Sequence, residues 1–405
     1  MRVLHINNVH HVRGGSDVVY FKTGDLLTAA GHDCTYFASA HPANRAAATA
    51  SYFPKAVENA QPRRTEAHRF LFNASARAAL TRLIAEQGPF DIAHLHIYHG
   101  RLTAAILEPL RRAGIPVVQT LHEYKPACPV YTMERDGQVC EACLVHGPTQ
   151  VLRHRCKDGS LDRSLAMLAE YWAARLLGDR RGIDRFICVS AFQRDIMRRA
   201  GLPEQKLRLL HNFVAPAPPM PQETADPQRP YLLYAGRIDR LKGVPMLIEA
   251  VKRTGDRLVL AGDGPWSTQM AEAITDYPAI SAMGFLQPDA LQTLVAGARA
   301  VVVPSVWYEN CPLSVLEAKA LGVPVIAARI GGVPELVRDG VDGLLFRAGD
   351  VADLQRALAV FATSDRDTMS AAAKDDATAR FAPDVHLPRL LSIYDEARGA
   401  RAQAA

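Results

Sequence analysis

Residues 300–321 read Ala300-Val301-Val302-Val303-Pro304-Ser305-Val306-Trp307-Tyr308-Glu309-Asn310-Cys311-Pro312-Leu313-Ser314-Val315-Leu316-Glu317-Ala318-Lys319-Ala320-Leu321. The unbroken apolar run at 300–303 reads as a strand buried on both faces, as parallel sheets require. A polar turn follows, and the spacing of Leu313, Leu316, Ala320 and Leu321 reads as one face of a helix. Pro312 suits the first helical position, where its missing N–H is not needed. Strand, turn and helix in this order are the repeating unit of an open α/β sheet, whose ligands bind beyond the carboxyl ends of the strands. Glu309 in the turn and Glu317 on the helix stand at such an end.

The alternation continues outward from this stretch. Strand-like runs fall at 231–235, 258–261, 279–283, 324–327 and 343–346, with helices at 244–253, 288–296 and 333–337. Nearer the N-terminus, runs at 3–7, 33–38, 91–96, 115–121 and 184–189 alternate with helices at about 17–30, 68–87, 102–113, 161–177 and 190–200. This pattern predicts α/β architecture with two parallel, doubly wound, Rossmann-like sheets. It lapses over 215–230, where Ala215-Pro216-Ala217-Pro218-Pro219-Met220-Pro221 opens a polar, proline-bearing stretch that reads as an interdomain linker. The expected organisation is a first domain over 1–214, the linker, a second domain over 231–370, and a helical segment over 371–405 broken by Pro383 and Pro388.

With 405 residues the chain exceeds one typical core, and 48% hydrophobic with 22% charged residues is ordinary for a globular protein. A net charge of +5 does not make nucleic acid the default partner. The first seven residues read as a strand rather than a signal peptide, and no apolar run reaches the ~18 residues of a membrane span. The expectation is a cytoplasmic enzyme whose cysteines are mostly reduced.

Three further motifs stand at strand–helix junctions. Arg13-Gly14-Gly15-Ser16-Asp17 lets backbone N–H groups approach a ligand at a helix N-terminus, or is simply a tight turn; it is not the G-x-G-x-x-G dinucleotide fingerprint. Gly236-Arg237-Ile238-Asp239-Arg240-Leu241-Lys242-Gly243 sets Arg237 and Lys242 where they would neutralise a diphosphate, or where a basic turn is merely solvated. Gly262-Asp263-Gly264-Pro265 keeps side chains out of a ligand's way. Eight residues of helix span about 12 Å, longer than the separation of a glycosidase carboxylate pair, so Glu309 and Glu317 read better as two contacts on one elongated ligand. The one D-x-D, Asp365-Arg366-Asp367, lies in a polar stretch rather than at a strand end and reads as solvated surface. This favours chemistry without a catalytic metal.

Together these motifs, with Leu121-His122-Glu123 and Gly331-Gly332-Val333-Pro334-Glu335, resemble the retaining glycosyltransferases of family 4, in their order and spacing over most of the chain. The resemblance implies the GT-B fold, two Rossmann-like domains facing an interdomain cleft, with the C-terminal segment crossing back to the first domain. It implies transfer of a sugar from a nucleotide-diphosphate donor with retention and no metal. Arg237 and Lys242 would hold the diphosphate, Glu309 the sugar hydroxyls and Glu317 the ribose, with His122 beside the sugar. Gly14, Gly15, Gly236, Gly262, Gly264 and the amides of Asn310, Cys311 and Leu313 would complete the donor site. Two departures stand out: the loop Asn310-Cys311-Pro312-Leu313, which bears on which sugar is read, and Glu123 where the family usually has aspartate.

Four of the seven cysteines, Cys128, Cys140, Cys143 and Cys156, fall within the connection 123–160 with spacing C-x11-C-x2-C-x12-C. They read as ligands of a structural zinc that orders a long loop, or as free thiols. Such cysteine-bearing loops occur in a subset of the family. Arg63, Arg64, Arg69, Arg77 and Arg82 surround Phe70, Leu71, Phe72, Leu80 and Leu83, which reads as a basic amphipathic face for anionic lipid at the inner side of a membrane, or as a helix packed on the sheet. The expected activity is sugar transfer to a sugar or lipid-linked acceptor in polysaccharide, lipopolysaccharide or glycolipid assembly. The rivals are a nucleotide-sugar 2-epimerase and a non-catalytic nucleotide-sugar binding protein.

Overall fold

The computed structural model describes residues 1–55, 67–216 and 230–404. The chain groups into two compact units: Met1–Met133, Glu141–Leu210 and the stretch from Leu387 form the first, and Glu134–Cys140 with His211–His386 the second. Most of the expected linker lies outside the described residues.

The first unit holds a six-stranded parallel sheet of β1 (Arg2–Ile6), β2 (Asp33–Phe37), β3 (Ile92–Leu95), β4 (Val117–Leu121), β7 (Arg185–Cys188) and β8 (Leu207–Leu209), in the order β2-β1-β3-β4-β7-β8. Strands β3 and β4 are buried along their whole length because helices cover both faces. Edge strand β8 escapes sequence reading: Leu207-Arg208-Leu209 is too short to carry a period. Between β4 and β7, β5 (Glu134–Arg135) and β6 (Gln138–Val139) pair antiparallel around Asp136-Gly137, both at positive φ, the dipeptide that a two-residue hairpin demands.

The second unit holds β9 (Leu232–Ala235), β10 (Leu258–Ala261), β11 (Ile280–Gly284), β12 (Ala300–Val303), β13 (Val325–Ala328) and β14 (Gly343–Phe346), in the order β11-β10-β9-β12-β13-β14, all parallel. The order reverses between β9 and β12, so the loops leaving these two strands lie side by side where doubly wound sheets bind ligands. In the first unit the reversal falls between β1 and β3.

Three local expectations are corrected. The helix expected over 68–87 is two, Ala67–Leu71 and Ala74–Gln87, because Asn73 caps the second through Oδ1 to the Ala76 N–H. Its Leu80 and Leu83 are fully buried while Arg77 and Arg82 lie over Phe72 and Tyr52, so this apolar stripe faces the core and not a lipid surface. Arg63 and Arg64 lie outside the described residues. Finally, Pro388 does not break the C-terminal helix, which runs Pro383–Ala404. Pro383 fits its first turn, and Pro388 forgoes one backbone bond. The burial of Leu390, Ile393, Tyr394 and Ala397 against Val3, Ile92, Val118 and Ile187 outweighs that loss, at about 1.5–3 kcal/mol for each large side chain.

Candidate active site

In the second unit the site is assembled from the loops after β9 and β12. Glu309 is buried, and its Oε1 accepts from Ser305 Oγ at 2.6 Å, Lys242 Nζ at 2.7 Å and Trp307 Nε1 at 3.0 Å. Burial works to raise the carboxyl pKa, but the Lys242 charge and the three donors outweigh it and hold the group below its usual range. Lys242 also lies 5.1 Å from the Trp307 ring centroid. The sequence reading assigned Lys242 and Glu309 to different parts of a ligand; in the ligand-free chain they pair with each other. Arg237 pairs with Asp239 at 2.8 Å and keeps a half-exposed guanidinium, while Tyr234 Oη–H donates to the Arg237 carbonyl.

The glycines have a packing role that the sequence did not show. A Cβ on Gly262 would lie 1.9 Å from the Gly236 carbonyl oxygen, and one on Gly264 would lie 2.2 Å from that of Ile238. Side chains are absent there because the 236–243 turn packs directly on the 262–265 turn. Likewise a Cβ on Gly331 would meet the Glu309 carbonyl oxygen at 2.2 Å, the same oxygen that accepts from Gly332 N–H at 2.7 Å. The motifs are thus one packed body around Glu309.

Helix Leu313–Ala320 begins one residue after Pro312, which is the cap (ψ 124°) and not the first helical residue. Cys311 is buried; its carbonyl accepts from Asn212 Nδ2 at 3.0 Å, and burial pushes its thiol up to about 12, so it stays neutral. Glu317 sits half-buried on the helix among buried Val315, Leu316 and Ala318. Sequence reasoning passed over Lys319, which is fully buried and donates to Asp342, Asp376 and the Leu336 carbonyl. A lysine amid four apolar core positions was the available signal. Asp365 caps helix Arg366–Phe381, its carboxylate accepting from the N–H groups of Asp367 and Thr368.

In the first unit, Gly14 caps helix Gly15–Ala29 with extended backbone, and a Cβ there would meet nothing within 4 Å. Asp17, in the helix's first turn, is buried and accepts from Asn7 Nδ2 and Arg13 N–H, each at 3.0 Å. His122 follows β4. Burial pulls its pKa down to about 4 against the opposing charge of Asp17. It borders a small recess lined by His96, His99, Gln119, Glu123 and Lys125 among others. Glu123 is raised by burial, with His99 and Lys125 opposing. Beneath them Glu170 pairs with Lys125 and with His99 at 3.3 Å; burial acts to raise its pKa, but these partners outweigh it and bring it to about 2.

The sequence reading also missed the histidines around His122. Parallel register sets His5 of β1 opposite His94 of β3, and His96, two residues on, projects to the same side. Among the described residues, His5, His94 and His96 form the one group of three metal-ligating types whose ligand atoms lie within 4.8 Å of one another. The spacing His94-x-His96 at a strand end was legible, but nothing local ties it to His5 or His122.

All seven cysteines are described and none is in a disulfide. Cys143 hydrogen-bonds Cys128, the main cause of a Cys128 thiol lowered to about 7. These two and Cys156 belong to the first unit, and Cys140 groups with the second.

The profile described as Glycosyltransferase Family 4 matches residues 13–218, and that described as Glycosyl transferases group 1 matches 229–363. A sulfoquinovosyl transferase of Arabidopsis thaliana is 28% identical over 287 residues, 67% of this chain and 50% of that protein. A D-inositol 3-phosphate glycosyltransferase of Thermobifida fusca is 28% identical over 312 residues, 69% of this chain and 63% of its own length. The chain therefore matches between half and two thirds of these relatives. Sucrose-phosphate synthase of Thermosynechococcus elongatus superposes with TM-score 0.69 at 17% identity, over 99% of this chain and 100% of that one. An Anabaena protein in complex with UDP and glucose gives 0.68 at 18%, over 97% and 98%. At these identities the likeness is one of fold.

Proposed function

The chain belongs to glycosyltransferase family 4 and has the GT-B fold, and on that premise we propose that it transfers a sugar from a nucleoside-diphosphate sugar to a hydroxyl acceptor, with retention and without a catalytic metal. The observation that carries the reading is the Lys242–Glu309 pair at the strand-order reversal, beside the exposed guanidinium of Arg237. A diphosphate would draw Lys242 and Arg237 to its oxygens, and Glu309, still held by Ser305 and Trp307, would accept from the sugar hydroxyls. Glu317 would take the ribose hydroxyls. In the first unit, neither backbone strain nor packing calls for glycine at Gly14, and the space it leaves suits a ligand. His122 stands beside the transferred sugar. As the C1–phosphate bond breaks, the acceptor oxygen attacks on the same face and its proton passes to the departing phosphate oxygen. The capping role of Asp365 supports a reading without a D-x-D metal chelate.

A panel of UDP-, GDP- and ADP-sugars in thermal-shift assays tests the donor class, since a ligand of the folded state raises its apparent stability. Turnover must then release nucleotide in proportion to acceptor. Conversion to an isomeric sugar nucleotide would select an epimerase, and donor binding without any turnover a binding protein.

Cys128, Cys140, Cys143 and Cys156 are assigned to a structural zinc; the sulfur-to-sulfur contact of Cys128 and Cys143 supports that one pair, while among the described residues no three of the four sulfurs lie within 4.8 Å of one another. Purified protein without zinc and with all four thiols open to alkylation would refute it. The acceptor is assigned to a polysaccharide, lipopolysaccharide or glycolipid precursor at the cytoplasmic face of a membrane. Leu161, Leu165, Trp172 and Leu176 support this, forming an exposed row on one face of helix Leu161–Leu176, with exposed Arg153, Arg155 and Arg163 around its start. Among the described residues no helix is long and apolar enough to cross a membrane. Absence of flotation with anionic liposomes would sink peripheral association.

A further inference from the structure

We infer that His96 sets the tautomer of His122, holding it in the Nδ1–H form so that it presents a hydrogen-bond donor to the sugar. The inference rests on the assignment of His122 to the transferred sugar made above.

His96 Nδ1 and His122 Nε2 are 2.8 Å apart, and the ring planes are inclined by only 14° with centroids 5.1 Å apart, as for two rings joined edge to edge. Burial lowers both pKa values, with the neighbouring histidines adding to the effect at His96, so at neutral pH each ring carries one N–H and one lone pair. A single proton therefore lies between them, and one ring must donate.

The other nitrogen of His96 decides which. Nε2 is buried and has no hydrogen-bond partner. Were His122 the donor, the His96 N–H would be at Nε2, sealed away from any acceptor, and buried N–H groups without partners are rare in folded proteins. With His96 as donor, what remains at Nε2 is a lone pair. His5 points the same way. Its ring lies 5.7 Å from that of His96, nearly parallel, and both its nitrogens are buried without hydrogen-bond partners. His5 carries an N–H in either tautomer, and a lone pair at His96 Nε2 gives it an attractive neighbour where a second N–H would repel.

His94 completes the frame and does not compete. Its Nδ1 meets Tyr394 Oη at 2.7 Å and its Nε2 meets Thr120 Oγ1 at 2.8 Å. For the same reason the cluster is not assigned to a metal, since His94 would have to surrender one of these bonds. His96 is thus a positioning residue: it fixes the ring of His122 through Nε2 and puts the remaining proton on Nδ1.

The test is a two-bond 1H–15N correlation spectrum of the full-length protein labelled with 15N-histidine, with the His122 signals identified by their loss in His122→Asn. The expected result is a proton on Nδ1 of His122; a proton on Nε2 overturns the inference. In parallel, His96→Leu is expected to lower kcat by roughly tenfold to a hundredfold, the usual range for losing a partner that orients a histidine, with the donor KM little changed. His96→Asn, whose amide N–H also donates, is expected to restore most of it. A folded His96→Leu variant with full kcat overturns the inference. If either variant fails to fold, the spectrum of the unsubstituted protein still decides. Full kcat in His122→Asn would instead remove the functional reading while leaving the tautomer assignment standing.

Discussion

Both units put chemistry at the ends of strands where their sheet order reverses or just beyond, but they fill that place with opposite materials. The second unit uses charge: Lys242, Arg237 and Glu309 sit on loops, pair locally and are held by loop-on-loop packing through Gly262, Gly264 and Gly331. The first uses imidazoles: His5, His94, His96 and His122 come from three different strands or strand ends, and burial holds the pKa values of His5, His96 and His122 down. A charged site is suited to gripping an anionic donor and rearranging as it arrives. A neutral, desolvated one is suited to holding a donor proton in a fixed direction.

The contrast is most sharply tested where charge is buried deepest. Lys319→Met should destabilise the second unit by up to about 3–5 kcal/mol, because buried Asp342 and Asp376 would lose the lysine and keep only Arg338 and Arg380 as counter-charges. Adding Asp376→Asn should recover part of the loss in urea denaturation, and a Lys319→Met protein as stable as the parent would break the account. Next, Lys242→Ala should lower kcat by roughly 10²–10³-fold, the usual effect of removing one electrostatic contact to a developing anion. Combining it with Glu309→Gln should cost less than the product of the two single effects, since the residues act as a unit; strict multiplicativity would separate them.

The two glutamates should then part company. Glu309→Gln should mainly lower turnover, whereas Glu317→Gln should mainly raise the donor KM, by roughly tenfold, with kcat nearly kept. The opposite pattern would overturn the division of labour. The mildest expected effect is confined to acid. Glu170 in the first unit has its folded pKa lowered from 4.5 to about 2, so its stabilisation is complete above about pH 4.5 and is lost as pH falls from there towards 2. Denaturation midpoints should decline through that window with a contribution of at most about 1.4 kcal/mol per pH unit. In Glu170→Gln that portion of the slope should disappear.

The alternation of strands and helices was legible because many of the strands are runs of apolar residues buried on both faces, as at 300–303 and 343–346. Strand β8 and the Asp136-Gly137 hairpin were not, since three or two residues carry no usable period. The charged half of the candidate site was also legible, because Arg237, Lys242, Glu309 and Glu317 follow strand ends within one or two loops. A packing duty of the glycines was not legible. Gly262 and Gly264 sit in sequence like ligand-clearing residues, and only the approach of the Gly236 and Ile238 carbonyls reveals that they clear room for another loop. Pro388 was misread for the same reason, its penalty being set by local backbone and its tolerance by distant core residues.

By itself, then, the order of residues determined what is local: which segments bury both faces, where chain direction turns, and which charges stand at strand ends. The tertiary structure decided what depends on register and crossing. It brought Lys242 to Glu309 across 67 residues, His5 beside His96 across 91, and Tyr394 to His94 across 300. Parallel pairing carries no signature in either strand alone, because each partner meets its neighbour only after a helical excursion. The opening stretch at 300–321 shows both sides: its strand, turn and helix were written in its own residues, while the partner that holds Glu309 came from elsewhere in the sheet.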